Sequence, residues 1–421
     1  VHNGHNRGQS FSNPRQTICR KMNTPSTRPL PERLVSLDAY RGLTMLAMAS
    51  GGLGLHRVAE NLHAAGNDAP LWRFLGYQFE HVEWVGCSAW DLIQPSFMFM
   101  VGVAMAYSCA SRQAAGQTYA QMLRHAIVRS IVLVLLGVFL RSNGREQTYF
   151  TFEDVLSQIG LGYVFLFLLW NRPKWVQFAA AFGILAGYWC VFYFYPLPPA
   201  DFDYATVGVG SDWPHLQGVA AHWDKNTHAA AAFEQWFLNL FPRAKPFVFN
   251  GGGYLTLSFI PSLATMIFGL LSGELLRSSR SSGWKFWTLV FVGVAGLAAG
   301  LALQTTGLCP IVKRIWTPSW TLFSTGWTCL ILAGFFGVVD VLGFRKWTFP
   351  LVVVGMNSIT IYVMAGLSKG WLERTIRTHL GSGIFDFLGN DYEPFLVQLW
   401  ILLAMWLICY WLYRQRIFIR I

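Results

Sequence analysis

Residues 286–304 read FWTLVFVGVAGLAAGLALQ, nineteen positions without one charged side chain. A helix rises about 1.5 Å per residue, so this stretch makes a rod of about 28 Å, close to the roughly 30 Å hydrocarbon core of a bilayer. A helix of that length in water would show a polar face, and this one has none. Nine other runs share the character: 35–56, 91–109, 124–141, 154–170, 175–195, 254–276, 317–342, 348–365 and 395–413. Arg129 interrupts the 124–141 run. The composition agrees, since 53% of the 421 residues are hydrophobic, 16% aromatic and only 13% charged. Soluble chains carry about a quarter charged residues. Disorder, collagen and a small disulfide scaffold are excluded by the same balance. The expected fold class is all-α, a polytopic integral membrane protein of about ten transmembrane helices.

The connections sort by charge. One side receives Arg7 through Arg33, Arg112 with Arg124, Arg172 with Lys174, Arg277 to Lys285, Arg345–Lys346 and Arg414 to Arg420. The other receives the long connections 57–90, 196–253 and 366–394, which are poor in cations. Short basic loops stay in the cytoplasm, so both termini are expected there, in a multi-pass inner (plasma) membrane protein. Residues 1–33 read as a basic, disordered tail, with 1–21 an upstream extension or a dispensable part. Residues 34–421 read as one transmembrane domain whose long outer loop is 196–253. The net charge of +11 is dispersed between apolar runs and makes no basic stripe, so nucleic acid is not an expected partner. The histidines of the long loop lack metal-ligand spacing, and no metal is expected. A homodimer is left open.

Polar residues inside apolar runs are costly and therefore mark function. Asp38 and Arg41 in Ser36-Leu37-Asp38-Ala39-Tyr40-Arg41-Gly42 are three apart and share a helix face, as a cap with a snorkelling cation or as a phosphate site. His81 to Leu92 (HVEWVGCSAWDL) sets a histidine, able to take and give a proton near neutrality, ten residues before Asp91 at the head of an apolar run. Gly355-Met356-Asn357-Ser358-Ile359 puts an amide about 14 Å along the ninth run, near the bilayer midplane. Lys313-Arg314-Ile315-Trp316-Thr317 opens the eighth, as an interfacial anchor or a ligand group.

In this order the four groups resemble the heparan-α-glucosaminide N-acetyltransferase family of polytopic membrane acyltransferases, here as a bacterial-type member. The family's R-L-x-S-[VL]-D-x-[FY]-R-G stands as Arg33 to Gly42, and H-x-x-W-x-G-x-x-x-x-D-L as His81 to Leu92. P-x-F-x-F-x-x-G stands as Pro95, Phe97, Phe99 and Gly102, K-x-[LI]-W-[ST] as Lys313 to Thr317, and G-M-N-S-I as Gly355 to Ile359. Leu412 to Phe418 closes the match. Two elements depart: Leu-Gln-Arg-[IL] is Leu156-Ser157-Gln158-Ile159, and Asp-Pro-Glu-Gly is Asn250-Gly251-Gly252-Gly253.

The resemblance implies transfer of acetyl from cytoplasmic acetyl-CoA to the amine of a glucosamine-type sugar or glycan across the bilayer. The family's active-site histidine falls on His81. The expected catalytic set is His81, Asp91 and Asn357. Arg41, Arg124, Arg129, Lys346 and Ser358 are expected to hold acetyl-CoA, and Asp38, Trp84, Gln158, Lys313 and Trp316 the acceptor. Acylation of a sugar hydroxyl, or secondary transport of a sugar or small anion, are the alternatives.

Overall fold

The computed structural model describes residues 34–67 and 69–419, so the expectations for the tail 1–33 lie outside the described residues. Among the described residues the regular structure is helical, with a lone antiparallel bridge between Val85 and Val312. In chain order the helices are α1 (Val35–Ser50), α2 (Leu55–Ala64), α3 (Pro70–Gln78), α4 (Ile93–Ala114), α5 (Tyr119–Ser142), α6 (Val155–Leu169), α7 (Lys174–Tyr193) and α8 (Ala229–Leu238). They continue as α9 (Phe259–Arg277), α10 (Ser282–Thr305), α11 (Pro318–Phe335), α12 (Phe349–Gly355), α13 (Ser358–Leu367), α14 (Lys369–Leu380) and α15 (Glu393–Arg414).

Each apolar run of the sequence contains helix, but ten full spans are not reached. Among the described residues, seven helical segments are long and apolar enough to cross a membrane, or eight when the bent pair formed by α12 and α13 counts as one. Two of the missing spans are short: α1 has 16 residues and α6 has 15. At about 1.5 Å per residue neither covers a 30 Å core alone. The third is broken. The axis turns by 65° between α12 and α13, at Met356 and Asn357, where the sequence suggested a continuous helix. The long connections also carry structure, with α2 and α3 between α1 and α4, α8 between α7 and α9, and α14 before α15.

Hydrocarbon offers no hydrophobic reward for bringing one helix to another, so close backbone packing has to hold the bundle. Glycine supplies it. A Cβ on Gly269 of α9 would lie 2.0 Å from the Phe99 carbonyl oxygen, and one on Gly102 of α4 would lie 1.9 Å from that of Met266. A Cβ on Gly42 of α1 would meet the Leu351 carbonyl at 1.8 Å, and one on Gly355 the Asp38 carbonyl at 2.0 Å. Helices α4 with α9, and α1 with α12, therefore touch backbone to backbone. The carbonyls cannot retreat without breaking their own helices. Gly269→Ala is expected to cost more than 2 kcal/mol, at the severe end of overpacking, read as a loss of monodisperse protein in detergent. Gly283→Ala, where a Cβ meets nothing within 4 Å, serves as the control. Equal yields from the two variants would contradict this packing.

A histidine over a buried carboxylate and lysine at one end of a lined helix face

The connection leading into α4 and the one leading into α11 are zipped together. Val85 bridges Val312, the Gly86 amide donates to the Ile311 carbonyl at 2.9 Å, and Arg314 donates through Nε to the Val82 carbonyl at 3.4 Å. Arg314 also reaches Gly252 at 2.7 Å, tying in the segment before α9. Trp316 carries a positive φ of 51°, and its amide closes a turn on the Lys313 carbonyl at 2.9 Å. That turn leads into Thr317, whose hydroxyl accepts from the Trp320 amide and caps α11. Lys313 is thus delivered from 232 residues away onto the His81 ring.

Three charged or titratable groups meet there. His81 Nδ1 lies 2.8 Å from Asp91 Oδ1, Lys313 Nζ lies 3.1 Å from the same oxygen, and Nζ lies 2.9 Å from Nδ1. The amides of Val82 and Ser88 donate to Asp91 Oδ2 at 3.2 and 3.1 Å. The Asp91 and Lys313 side chains are 1% and 8% exposed, whereas the His81 side chain is 40% exposed, so the ring is the reachable member. Burial pulls the Lys313 ammonium below its ordinary value, opposed by Asp91. Nδ1 cannot donate to Asp91 and accept from Lys313 at once. With Nδ1–H on the carboxylate, Nε2 keeps a lone pair for chemistry; with Lys313 donating to Nδ1, Nε2 carries the proton instead. Cys87, beside the cluster, is not a second nucleophile, because burial and then Asp91 push its thiol up to about 12.

A cavity of about 160 Å³ faces His81 and Lys313 and is otherwise walled by Met45, Met48, Trp90, Ile93, Gln94, Phe97 and Val155. A second, of about 530 Å³, has Arg41, Arg112 and Arg129 on its wall, with Asp38, Ser108, Ser111 and Ser358. Arg129 lies over the Tyr163 ring at 4.8 Å, and its Nε is buried without a hydrogen-bond partner. Helix α4 belongs to both walls. Ile93 and Gln94 face the first cavity, Phe97 faces both, and Met100, Val101, Ala104, Met105, Ser108, Ser111 and Arg112 face the second. These positions keep the three-and-four spacing of one helix face. From Gln94 to Arg112 that face extends about 27 Å.

The remaining candidates from the sequence fall in several places. Arg41, Asp38, Arg129 and Ser358 lie on the wall of the larger cavity, with Arg41 3.7 Å from Asp38. Arg124 and Lys346 are exposed and line neither cavity. Asn357 is buried, but its amide donates to the Ile417 carbonyl and its oxygen accepts from the Ile419 amide, each at 3.1 Å. It pins the segment beyond α15, away from His81, and sits near the ends of α1 and α15 rather than midway along a helix. Trp84 donates to the Trp223 carbonyl at 3.1 Å, and Trp316 points to Thr265 at 3.4 Å inside the core. Gln158 touches the His81 cavity only through Gln94, at 3.4 Å. The sequence reading took Arg112 only as a cation of a short connection and did not single out Ser108 or Ser111, which share a helix face with Phe97.

A multi-pass helical membrane protein with an accessible histidine on a buried Asp–Lys pair at one end of a helix face, and an arginine-lined cavity along the rest, is the class so defined. Heparan-alpha-glucosaminide N-acetyltransferase of Homo sapiens is 23% identical over 93% of this chain, and the Mus musculus protein of the same name is 22% identical over 94%. These two similarities support the family that the motifs indicated. The chain spans about 60% of the length of the curated relatives it matches. No family model matches it. At this level the chain is a distant relative of these N-acetyltransferases with several helices long and apolar enough to cross a membrane.

Removing one member of a buried pair strands the other. Lys313→Met alone should cost about 3 kcal/mol, measured as thermal stability in detergent, and adding Asp91→Asn should recover part of that loss. Strict additivity of the two changes would show that the groups do not interact.

Proposed function

We propose that the protein moves an acetyl group from acetyl-CoA, bound from the cytoplasm, to the amine of a glucosamine-type sugar presented at the opposite membrane face. The observation that carries this reading is the single face of α4 shared by the arginine-lined cavity and the His81 cavity. Its two ends differ in the way the two ends of an acyl-CoA differ. Arg41, Arg112 and Arg129, with the hydroxyls of Ser108 and Ser111, suit phosphate oxygens, because guanidinium forks and hydroxyls donate to them readily. The stretch of Met105, Ala104, Val101 and Met100 suits the uncharged arm of the thioester. The orphaned Nε of Arg129 is a donor awaiting an acceptor.

At the far end, His81 acts as general base. Asp91 holds Nδ1–H, leaving the Nε2 lone pair to receive a proton from the sugar amine. The amine nitrogen forms a bond to the acetyl carbonyl carbon while the carbon–sulfur bond breaks. The proton held on Nε2 then passes to the departing sulfur, so that CoA leaves as a thiol and the histidine is restored. Lys313, beside both groups, balances the carboxylate when the ring is neutral and has a donor to offer the carbonyl oxygen as charge develops on it. The termini lie in the cytoplasm in this reading, on the side of the short basic connections.

The test uses purified protein, labelled acetyl-CoA, and glucosamine beside glucose as a hydroxyl-only acceptor. Wild type should acetylate glucosamine and not glucose. His81→Ala should lose a factor of about 10² to 10⁴ in kcat with acetyl-CoA affinity kept. Arg112→Ala combined with Arg129→Ala should instead weaken acetyl-CoA binding by about tenfold or more, the loss of two charge-assisted contacts. Turnover by His81→Ala within threefold of wild type would overturn the assignment of the base, and preference for glucose would make the enzyme an O-acetyltransferase.

A further inference from the structure

We propose that Phe97 sets the length of acyl group the protein accepts: its ring is the barrier between the cavity that holds the thioester arm and the small chamber at His81. This rests on the acyl-transfer reading above and adds which thioesters qualify. Phe97 is the one side chain common to the walls of both cavities. It is 8% exposed, and Gln94 precedes it and Met100 and Val101 follow it by one helical turn on the same face of α4. The chamber beyond it is about 160 Å³, against about 530 Å³ on the other side. The chamber must take the acyl group and the reacting part of the acceptor together.

The walls around that chamber do not yield easily. Trp90, Ile93 and Phe97 stand on or just before α4, whose backbone is locked against α9 through Gly102 and Gly269. Met45 and Met48 come from α1 and Val155 from α6. The methionines can re-pack around a two-carbon group, but a methylene added toward the arginine-lined cavity needs the room that the Phe97 ring occupies. The physics is that of a filled pocket: added carbons are rejected by overlap, so discrimination is read in the rate of transfer and not in the affinity for the nucleotide end. Arg41, Arg112 and Arg129 bind that end beyond the ring, and an acyl chain of any length leaves their contacts unchanged.

The experiment compares wild type, Phe97→Ala and Phe97→Trp with acetyl-, butyryl- and hexanoyl-CoA, using glucosamine as acceptor. Wild type should transfer acetyl fastest and hexanoyl least. Phe97→Ala should raise the hexanoyl-to-acetyl ratio of kcat/KM by at least about tenfold, in the range expected for one or more methylenes of pocket size, while the dissociation constant of CoA stays the same. Phe97→Trp should lower kcat even for acetyl-CoA, again without moving CoA binding. A second readout needs no transfer at all. With Met48→Cys in the chamber wall, a small methanethiosulfonate added on the arginine-cavity side should label that residue slowly beside Phe97 and quickly beside Phe97→Ala, followed at the peptide by mass spectrometry. Unchanged labelling overturns the barrier. Faster labelling with an unchanged acyl ratio overturns the length rule. A wild type that labels as expected yet transfers no acyl group refutes the acyltransferase reading and, with it, the rule.

Discussion

A carboxylate with 1% of its side chain exposed, at the first turn of an apolar helix, sets the terms for the rest of this structure. Asp91 has to be satisfied where water is scarce, and it is reached by His81, Lys313 and the amides of Val82 and Ser88. Two of those donors come from its own segment, one from a ring half open to the surroundings, and one from the distant turn before α11. The Val85–Val312 bridge and the contacts of Arg314 hold together the two connections that bring Lys313 beside Asp91. An isolated buried charge would be several kcal/mol in deficit. The same compensation leaves the outward face of the imidazole available for chemistry.

From this cluster α4 carries a single lined face to the arginine cavity, and α4 in turn depends on its glycine contact with α9. Rigidity and function are linked here. A face that carries two cavities can keep its side chains in phase only if the helix neither bends nor rolls, and backbone-to-backbone packing prevents both. The break between α12 and α13 has a comparable role on the far wall, where Gly355, Met356, Ser358 and Ile359 all turn toward the larger cavity. A continuous helix would already put Gly355, Ser358 and Ile359 on one face by the same three-and-four spacing, so what the break adds there is Met356.

Much of the fold was legible because hydrocarbon demands uninterrupted apolar runs, and each run contains helix. The count was not, because run length overstates span length wherever a helix caps early, as α1 does at Ser50, or bends, as at Asn357. His81 and Asp91 were readable as a pair since ten residues of one segment separate them. The arrival of Lys313 was not, since nothing local in Lys-Arg-Ile-Trp says which loop it faces. Charge and estimated depth picked out Arg41, Arg124, Arg129 and Lys346 together, yet only Arg41 and Arg129 turn toward the cavity. Helical phase would have separated Arg112 from Arg124, but phase has meaning only once the reference face, through Phe97, is known.

The central claim is that reacting groups enter from opposite faces and meet at His81. It is tested most directly in sealed proteoliposomes of one orientation, with labelled acetyl-CoA confined to the face of the short basic connections and glucosamine to the other. The account predicts acetylated glucosamine in the acceptor compartment and free CoA in the donor compartment, with nothing formed when the two compounds are exchanged. Product only when both share one compartment would contradict it.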